Sequence, residues 1–258
     1  MPLIQINGKA VHIQELNKGA AETVVMVHGM FSNLSVYYFN IAPVLAAHFH
    51  VVLYDLKSHG MSERSPGGYD LDTMSDDLLA LIDGLGLGRV HLVGYSFGAL
   101  ISLKTAMRFP GRINGLAMIE APDPADDKTR GIIDDYSREF LEHYISNFTD
   151  TTRVQMGKRQ LERNHRMYEY LFYQTSIKQD MLAERGFFAD NGIRALIHQP
   201  LLIYGNRSNC LQAGYFLAQR IPGAVLQEIE GDHNVPVQAP EQVAASLSQF
   251  LCAEVAMV

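Results

Sequence analysis

The sequence has few cysteines, no excess of basic residues and no long apolar run. Only Cys210 and Cys252 occur among its 258 residues, without a CxxC pair or the spacing of metal ligands. A disulfide framework is therefore not expected, and a reducing compartment is. The 21 basic residues are outnumbered by 28 acidic ones, so the net charge of −7 disfavours binding to nucleic acid or to anionic membranes by bulk electrostatics.

Signals for membrane insertion, secretion and cofactor binding are also missing. No apolar run reaches the roughly 18 residues that a membrane-spanning helix needs, and residues 1–14 lack the basic start and apolar core of a signal peptide. The sequence contains no HExxH, GxGxxG or P-loop motif. We therefore expect a cytoplasmic protein that uses no metal and no cofactor and has neither nucleic acid nor membrane as a partner.

The sequence does contain a regular alternation of strand and helix patterns. With 47% hydrophobic residues, it can bury a substantial core. Short apolar runs typical of strands lie at 10–16, 23–27, 50–54, 90–93, 116–119, 201–204 and 224–229. Helical patterns lie at 72–85, 97–108, 211–220 and 240–253. This alternation predicts an α/β fold with a doubly wound, mostly parallel sheet.

One helical segment interrupts the alternation between residues 124 and 194. Aromatic residues recur there every four positions and so share one helix face, at Tyr136, Phe140, Tyr144 and Phe148. A second helix is predicted to carry Leu161, His165, Tyr168 and Phe172 on one side. We expect residues 1–123 and 195–258 to form the core and 124–194 to form a lid over the carboxyl ends of the strands, where open α/β sheets bind ligands.

The most informative local motif is GYSFG at 94–98, which follows a predicted strand and precedes a predicted helix. Glycines on both sides of a serine allow a tight strand-to-helix turn, and this turn leaves the hydroxyl exposed. The motif predicts Ser96 as a nucleophile. The alternative interpretation is a tight turn whose serine has no catalytic role.

A nucleophilic hydroxyl needs a nearby base and donors for the oxyanion that develops. His233 follows the last predicted strand, at the same sheet edge as Ser96, and is the predicted base; a solvated loop histidine is the alternative. The strand at 23–27 runs into His28-Gly29, so the backbone amides of Met30 and Phe97 are the predicted oxyanion hole. A plain turn is the alternative interpretation of His28-Gly29.

Taken together, these segments resemble the α/β-hydrolase superfamily over nearly the whole chain. The matching stretches are HGM at 28–30, DLKSHGMSE at 55–63, GYSFG at 94–98 and GDHNVPVQAP at 231–240, together with the helical insertion. The resemblance implies an eight-stranded core, a lid and a triad in the order Ser, acid, His. It also implies a structural role for Asp55.

The triad acid departs from the usual family pattern. Most relatives carry it three residues beyond a glycine after the seventh strand, where this chain has Ser208 and no carboxylate nearby. The sixth strand ends instead at Glu120 and looks like the same segment of haloalkane dehalogenases, in which a glutamate orients the histidine. The resemblance therefore predicts Glu120 as the acid, with Asp123 or the neutral Ser208 as alternatives and an ordinary strand-end carboxylate as the remaining interpretation. Dehalogenation is excluded, because those enzymes use an aspartate nucleophile and tryptophan donors, whereas this chain has Ser96 and no tryptophan.

The expected function is a serine hydrolase that cleaves carboxylic ester or thioester bonds through an acyl-enzyme. An acyltransferase that uses the same acyl-enzyme and a non-catalytic ligand-binding protein remain alternatives. The expected substrate is a small acyl ester or thioester held in a mostly apolar pocket. A basic set in the lid could bind an acyl group linked to coenzyme A or a carrier protein, or could be a solvated helix face; it comprises Lys158, Arg159, Arg163 and Arg166.

Overall fold

The computed structural model describes residues 2–127 and 158–256, and its centre is a single eight-stranded sheet. The strands are β1 (Leu3–Ile6), β2 (Lys9–Leu16), β3 (Thr23–Val27), β4 (His50–Tyr54), β5 (Val90–Tyr95), β6 (Ile113–Ile119), β7 (Leu201–Gly205) and β8 (Val225–Ile229). Their spatial order is β1-β2-β4-β3-β5-β6-β7-β8. The pairs β1–β2 and β2–β4 are antiparallel, and every other pair is parallel. The predicted α/β fold class is confirmed.

The burial of each strand explains which strands the sequence reveals. Every residue of β3, β4, β5 and β7 is buried, because helices cover both faces of the central sheet, and the sequences of these strands are therefore mostly apolar. The edge strand β1 has only four residues, most of them not fully buried. It joins β2 through Asn7-Gly8, whose φ angles of 51° and 75° suit a tight hairpin turn. Strand β1 was not predicted, because so short an edge strand has no clear periodicity.

Helices flank both faces of the sheet. They are α1 (Ser35–Tyr38), α2 (Ala42–Leu45), α3 (Leu71–Gly84), α4 (Phe97–Arg108), α5 (Lys158–Gln174), α6 (Ile177–Ala183), α7 (Leu211–Arg220), α8 (Val235–Gln238) and α9 (Pro240–Ala256), with 3-10 turns at Pro110–Arg112, Glu184–Ala189 and Asn191–Ile193. The buried faces of α3 and α4 belong to one apolar cluster, and those of α2 and α9 belong to a second. The bounds predicted for α4 and α7 are confirmed. The start of α3 is fixed by Asp70, whose carboxylate accepts the N–H of Thr73 at 2.8 Å.

Part of the predicted lid lies within the described residues. The predicted aromatic positions Tyr136, Phe140, Tyr144 and Phe148 lie outside them. Helix α5 contains the second predicted helix, and its Tyr168 and Phe172 are buried. The Tyr168 hydroxyl donates to the carbonyl oxygen of Phe31 at 2.9 Å, and the rings of Tyr168 and Phe172 lie 4.7 and 5.3 Å from the ring of Phe31. Helix α5 therefore packs on the loop that follows β3, while the predicted boundary of the lid stays a prediction.

No helix within residues 2–127 and 158–256 combines the length and the apolar character that crossing a bilayer requires.

Candidate active site

Ser96 lies at the turn between β5 and α4, where the backbone is strained. Its φ of 54° and ψ of −119° form a conformation that residues with a Cβ rarely adopt. The turn needs the two glycines of the motif: a Cβ at Gly94 would lie 2.4 Å from the carbonyl oxygen of Gly98, and a Cβ at Gly98 would lie 2.2 Å from that of Val27. The N–H of Ser96 donates to Ile119 at 2.8 Å, which ties the turn to β6. The structure thus places the serine at the carboxyl edge of the sheet.

His233 is distant from Ser96 in the sequence but contacts it in the structure. Its Nε2 lies 3.1 Å from the Oγ of Ser96, and its Nδ1 lies 3.0 Å from Oε2 of Glu120. The hydroxyl of Tyr95 donates to the carbonyl oxygen of His233 at 3.0 Å and so holds the loop between β8 and α8. Asp232 does not orient the imidazole, since its carboxylate accepts the backbone N–H two residues further on at 2.7 Å.

The environment of His233 shifts its basicity. Burial disfavours the charged imidazolium, but the side chain of Cys210 and then the carboxylate of Glu120 favour it more strongly, so the pKa of His233 lies above the ordinary 6.5. A quarter of the side chain (25%) is exposed, whereas Glu120 has no exposed surface. The imidazole is therefore reachable from solvent on one side and held by a buried anion on the other.

Glu120 is the carboxylate that contacts the imidazole. It directly follows β6, with a φ of 55°, a second strained residue at the same sheet edge. Its Oε1 accepts the N–H of Gly205 at 2.5 Å, and its Oε2 accepts the hydroxyl of Ser208 at 2.5 Å. The same Oε2 contacts Nδ1 of His233. A buried carboxylate is costly unless such donors surround it. These contacts therefore allow an ionised Glu120 at this position.

The two alternative acids lie elsewhere in this arrangement. Ser208, in the position where the resemblance leads one to expect an acid, hydrogen bonds the carboxylate of Glu120 rather than the imidazole. Asp123 accepts the N–H of Ala125 at 2.8 Å. The structure thus brings Ser96, His233 and Glu120 together and leaves their catalytic roles as predictions.

The predicted oxyanion hole consists of two backbone amides beside the serine. The loop after β3 touches the turn, since a Cβ on Gly29 would lie 3.0 Å from the Cβ of Ser96. Phe97 begins α4, and the first amides of a helix have no acceptor within it. Among the described residues, no acceptor is bound by the N–H of Met30 or of Phe97. Neither N–H group is therefore taken up by another group in the described part of the chain, and the oxyanion hole stays a prediction.

Asp55 and His28 support the loops around the site. The carboxylate of Asp55 accepts the N–H groups of Leu34 and Met61 at 2.8 and 2.9 Å and contacts Nδ1 of His12 at 2.7 Å. Burial lowers the pKa of His28, whose Nε2 accepts a backbone N–H at 3.0 Å and whose Nδ1 contacts the carbonyl oxygen of Gly29 at 2.7 Å. These contacts agree with the structural role that the resemblance implies for Asp55.

Cys210 is the neighbour of the site that the sequence analysis missed. It is buried at the start of α7, and its N–H donates to the Oγ of Ser208 at 3.0 Å. Its Sγ, a carboxylate oxygen of Glu120 and a ring nitrogen of His233 all lie within 4.8 Å of one another. A single cysteine has no spacing pattern, so its place two residues after Ser208 was the only signal available.

Comparisons with known proteins give the family. A family model of the alpha/beta hydrolase fold matches residues 22–240. The dihydrolipoyllysine-residue acetyltransferase component of an acetoin cleaving system from Pseudomonas putida is 28% identical over 256 residues, which cover 96% of this chain and 68% of that protein. A 2-hydroxy-6-oxo-2,4-heptadienoate hydrolase from Pseudomonas putida strain F1 is 33% identical over 117 residues, which cover 44% of this chain and 42% of that protein.

A solved structure extends the likeness to the whole fold. The enol-lactonase from Burkholderia xenovorans LB400 superposes with a TM-score of 0.74 at 23% sequence identity, over 97% of this chain and 100% of that chain. Since the family model spans most of the sequence and the sheet and the serine turn have the expected arrangement, this chain belongs to the alpha/beta hydrolase fold family.

Proposed function

We propose that this protein is a serine hydrolase that cleaves carboxylic ester or thioester bonds through an acyl-enzyme intermediate. The observation that carries the proposal is the unbroken chain of contacts from Ser96 through His233 to Glu120, with distances of 3.1 and 3.0 Å. A serine becomes a nucleophile when a base takes its proton and a third group orients that base. The three side chains come from three separate segments at one sheet edge, and their contacts supply the geometry that this chemistry requires.

The first half of the reaction forms the acyl-enzyme. Nε2 of His233 accepts the proton of Ser96 while Oγ attacks the acyl carbon. Nδ1–H of the imidazole donates to Oε2 of Glu120, so the carboxylate fixes the tautomer and stabilises the imidazolium that forms. The carbonyl oxygen becomes an oxyanion and accepts the N–H groups of Met30 and Phe97, and each such donor contributes about 3–4 kcal/mol to the transition state.

The first half ends when the imidazolium gives its proton to the leaving alcohol or thiol, which departs. The second half restores the serine: water attacks the acyl carbon while His233 takes its proton, the bond between the acyl carbon and Oγ of Ser96 breaks, and the imidazolium returns the proton to Oγ as the carboxylic acid departs. The exposed quarter of the imidazole supports this step, because water can approach the base without displacing the carboxylate.

The apolar surroundings favour an acyl group of apolar character. The loop that carries Met30 also carries Phe31, which packs against the rings of Tyr168 and Phe172 on α5. Hydrophobic and aromatic side chains with a few polar groups are typical of small-molecule pockets. A small acyl ester or thioester is the proposed substrate, and an acyl group linked to coenzyme A or a carrier protein is its extended form.

The direct test is active-site labelling with a fluorophosphonate probe. We expect the wild type to be labelled once per chain and to hydrolyse p-nitrophenyl esters or coenzyme A thioesters. Ser96→Ala should lose both properties, whereas Ser35→Ala, which removes an exposed hydroxyl at the start of α1, should keep them. Labelling or turnover that persists in a folded Ser96→Ala protein would refute the mechanism.

A second candidate function is acyl transfer from the same acyl-enzyme. The match over 96% of the chain to an acetyltransferase component favours it. Product analysis with and without alcohol, amine or thiol acceptors separates the two activities, because a transferase forms the new ester, amide or thioester in preference to the free acid. The non-catalytic alternative was favoured by the missing acid after β7, and the contact of Glu120 with His233 removes that support.

A further inference from the structure

We propose that Cys210, Glu120 and His233 form a binding site for a thiophilic divalent cation such as Zn²⁺ or Cd²⁺, and that the bound ion stops catalysis. Binding is inferred from the geometry of these three side chains alone. Inhibition rests in addition on the proposed function, because it requires His233 to be the base. Because the proposed ion inhibits the reaction, the site does not conflict with the sequence-based expectation that the reaction itself uses no metal.

The three side chains offer the sulfur, oxygen and nitrogen donors that zinc prefers. Their donor atoms lie within 4.8 Å of one another. Tetrahedral zinc with typical bond lengths separates its ligand atoms by about 3.5 Å, so they need to move by only about 1 Å. Cys210 directly precedes α7, Glu120 directly follows β6 and His233 lies in the loop after β8. Three elements that packing holds together thus converge on one point.

Binding of the ion has a defined effect on the protons of the site. The thiol of Cys210 releases its proton to solvent and binds as thiolate. Nδ1, the ring nitrogen that faces Glu120, binds the ion, and the proton of the neutral ring moves to Nε2. Nε2 faces Ser96 and, once protonated, can no longer accept the serine's proton. Inhibition therefore requires no displacement of the substrate.

An acidic depression on the surface gives the cation a route to the thiol. The depression is lined by Cys210 together with Asp123, Asp126 and Asn209, among others. Carboxylates at the mouth of a cleft raise the local concentration of cations. Water from this depression can complete the coordination of the ion. Among the described residues, these three side chains form the one cluster of at least three potential metal ligands.

The test is a titration of the full chain with Cd²⁺, followed by the ultraviolet thiolate-to-cadmium band and by the rate of fluorophosphonate labelling. We expect one band per chain and at least tenfold slower labelling at saturating Cd²⁺, both reversed by a chelator. Cys252→Ser, which removes the exposed thiol of α9, should behave like the wild type. Cys210→Ser and Cys210→Ala should lose the band and need at least tenfold more Cd²⁺ for the same inhibition, each relative to its own metal-free rate.

Each alternative result has a definite meaning. A band that persists in folded Cys210 variants, or disappears in Cys252→Ser, would overturn the site. A Cd²⁺ affinity that is unchanged in Glu120→Gln and in His233→Ala would show a thiol binding alone and would refute the three-ligand arrangement. A wild type that binds Cd²⁺ through Cys210 but never reacts with the probe would contradict the proposed function and, with it, the inhibition, while the site itself would stand.

Discussion

Replacing Glu120 with glutamine keeps the shape of the side chain and exchanges one carboxylate oxygen for an amide nitrogen. The wild-type carboxylate accepts three hydrogen bonds, from the N–H of Gly205, the hydroxyl of Ser208 and Nδ1–H of His233. An amide can satisfy this set of donors only in part. The two orientations of the amide therefore decide what the substitution costs.

In one orientation the amide oxygen accepts the N–H of Gly205 and the NH2 group faces His233. Nδ1 must then become an acceptor, so the ring carries its proton on Nε2, where it cannot take the proton of Ser96. In the other orientation the NH2 group meets the N–H of Gly205 at a position without solvent exposure, which costs about 1–3 kcal/mol. The first orientation is therefore favoured, and it presents the wrong tautomer to the serine.

The expected loss in kcat is about 10³–10⁴-fold, equivalent to about 4–5.5 kcal/mol of transition-state stabilisation. Steady-state kinetics with a p-nitrophenyl ester measure it, and thermal melting checks the fold. Asp123→Asn is the matched control, because it neutralises the next carboxylate along the chain, which contacts the N–H of Ala125, and should stay within about threefold of the wild type. A folded Glu120→Gln protein that keeps more than a tenth of the wild-type kcat would refute the role of Glu120.

Three further predictions follow from contacts at the same sheet edge. Ser208→Ala removes one donor to the buried carboxylate but leaves the imidazole contact, so kcat should fall only about three- to tenfold; a loss as large as that of Glu120→Gln would contradict this order. Gly98→Ala places a Cβ 2.2 Å from a carbonyl oxygen of β3 and should lower the free energy of unfolding by about 1–3 kcal/mol in urea titrations, whereas Gly111→Ala, with nothing within 4 Å, should be nearly neutral. The pKa of His233 lies above 6.5, and attack requires the neutral imidazole. A plot of kcat/KM against pH should therefore rise through an apparent pKa above 6.5. A midpoint at or below 6.5 would contradict the stabilisation of the imidazolium by Cys210 and Glu120.

The central sheet could be predicted from the sequence because its strands are buried on both faces. Runs such as Thr23–Val27 and His50–Tyr54 are apolar after their polar first residue, and a length of five residues between helical patterns is typical of strands. The two edge strands differ: β8 was predicted at 224–229 although most of its residues are not buried, whereas β1 was not predicted. A four-residue edge strand is too short for a clear periodicity and owes its conformation to pairing with its one neighbour.

The serine and the histidine of the site could be predicted for a different reason. The turn at Ser96 requires glycines at positions 94 and 98, because a Cβ at either position would clash with the backbone of α4 or β3. This steric requirement is visible in the sequence as a five-residue motif. His233 has no such motif of its own. It could be located because a parallel sheet brings the carboxyl ends of its strands to one edge, so a histidine after the last strand must lie near the serine turn.

The acid and its neighbours depend on contacts that no spacing rule describes. A carboxylate after β7 and one after β6 reach the same point, because these two strands are adjacent in the sheet and Glu120 itself donates its N–H to Ile203 of β7. The imidazole therefore requires an anion at one place in space but accepts it from either strand. Once Glu120 occupies that place, the position after β7 needs a small donor in place of an acid, and the hydroxyl of Ser208 meets this need. A second carboxylate at position 208 would instead face Glu120 with a like charge. The acid of the site can therefore be predicted only when positions 120 and 208 are considered together.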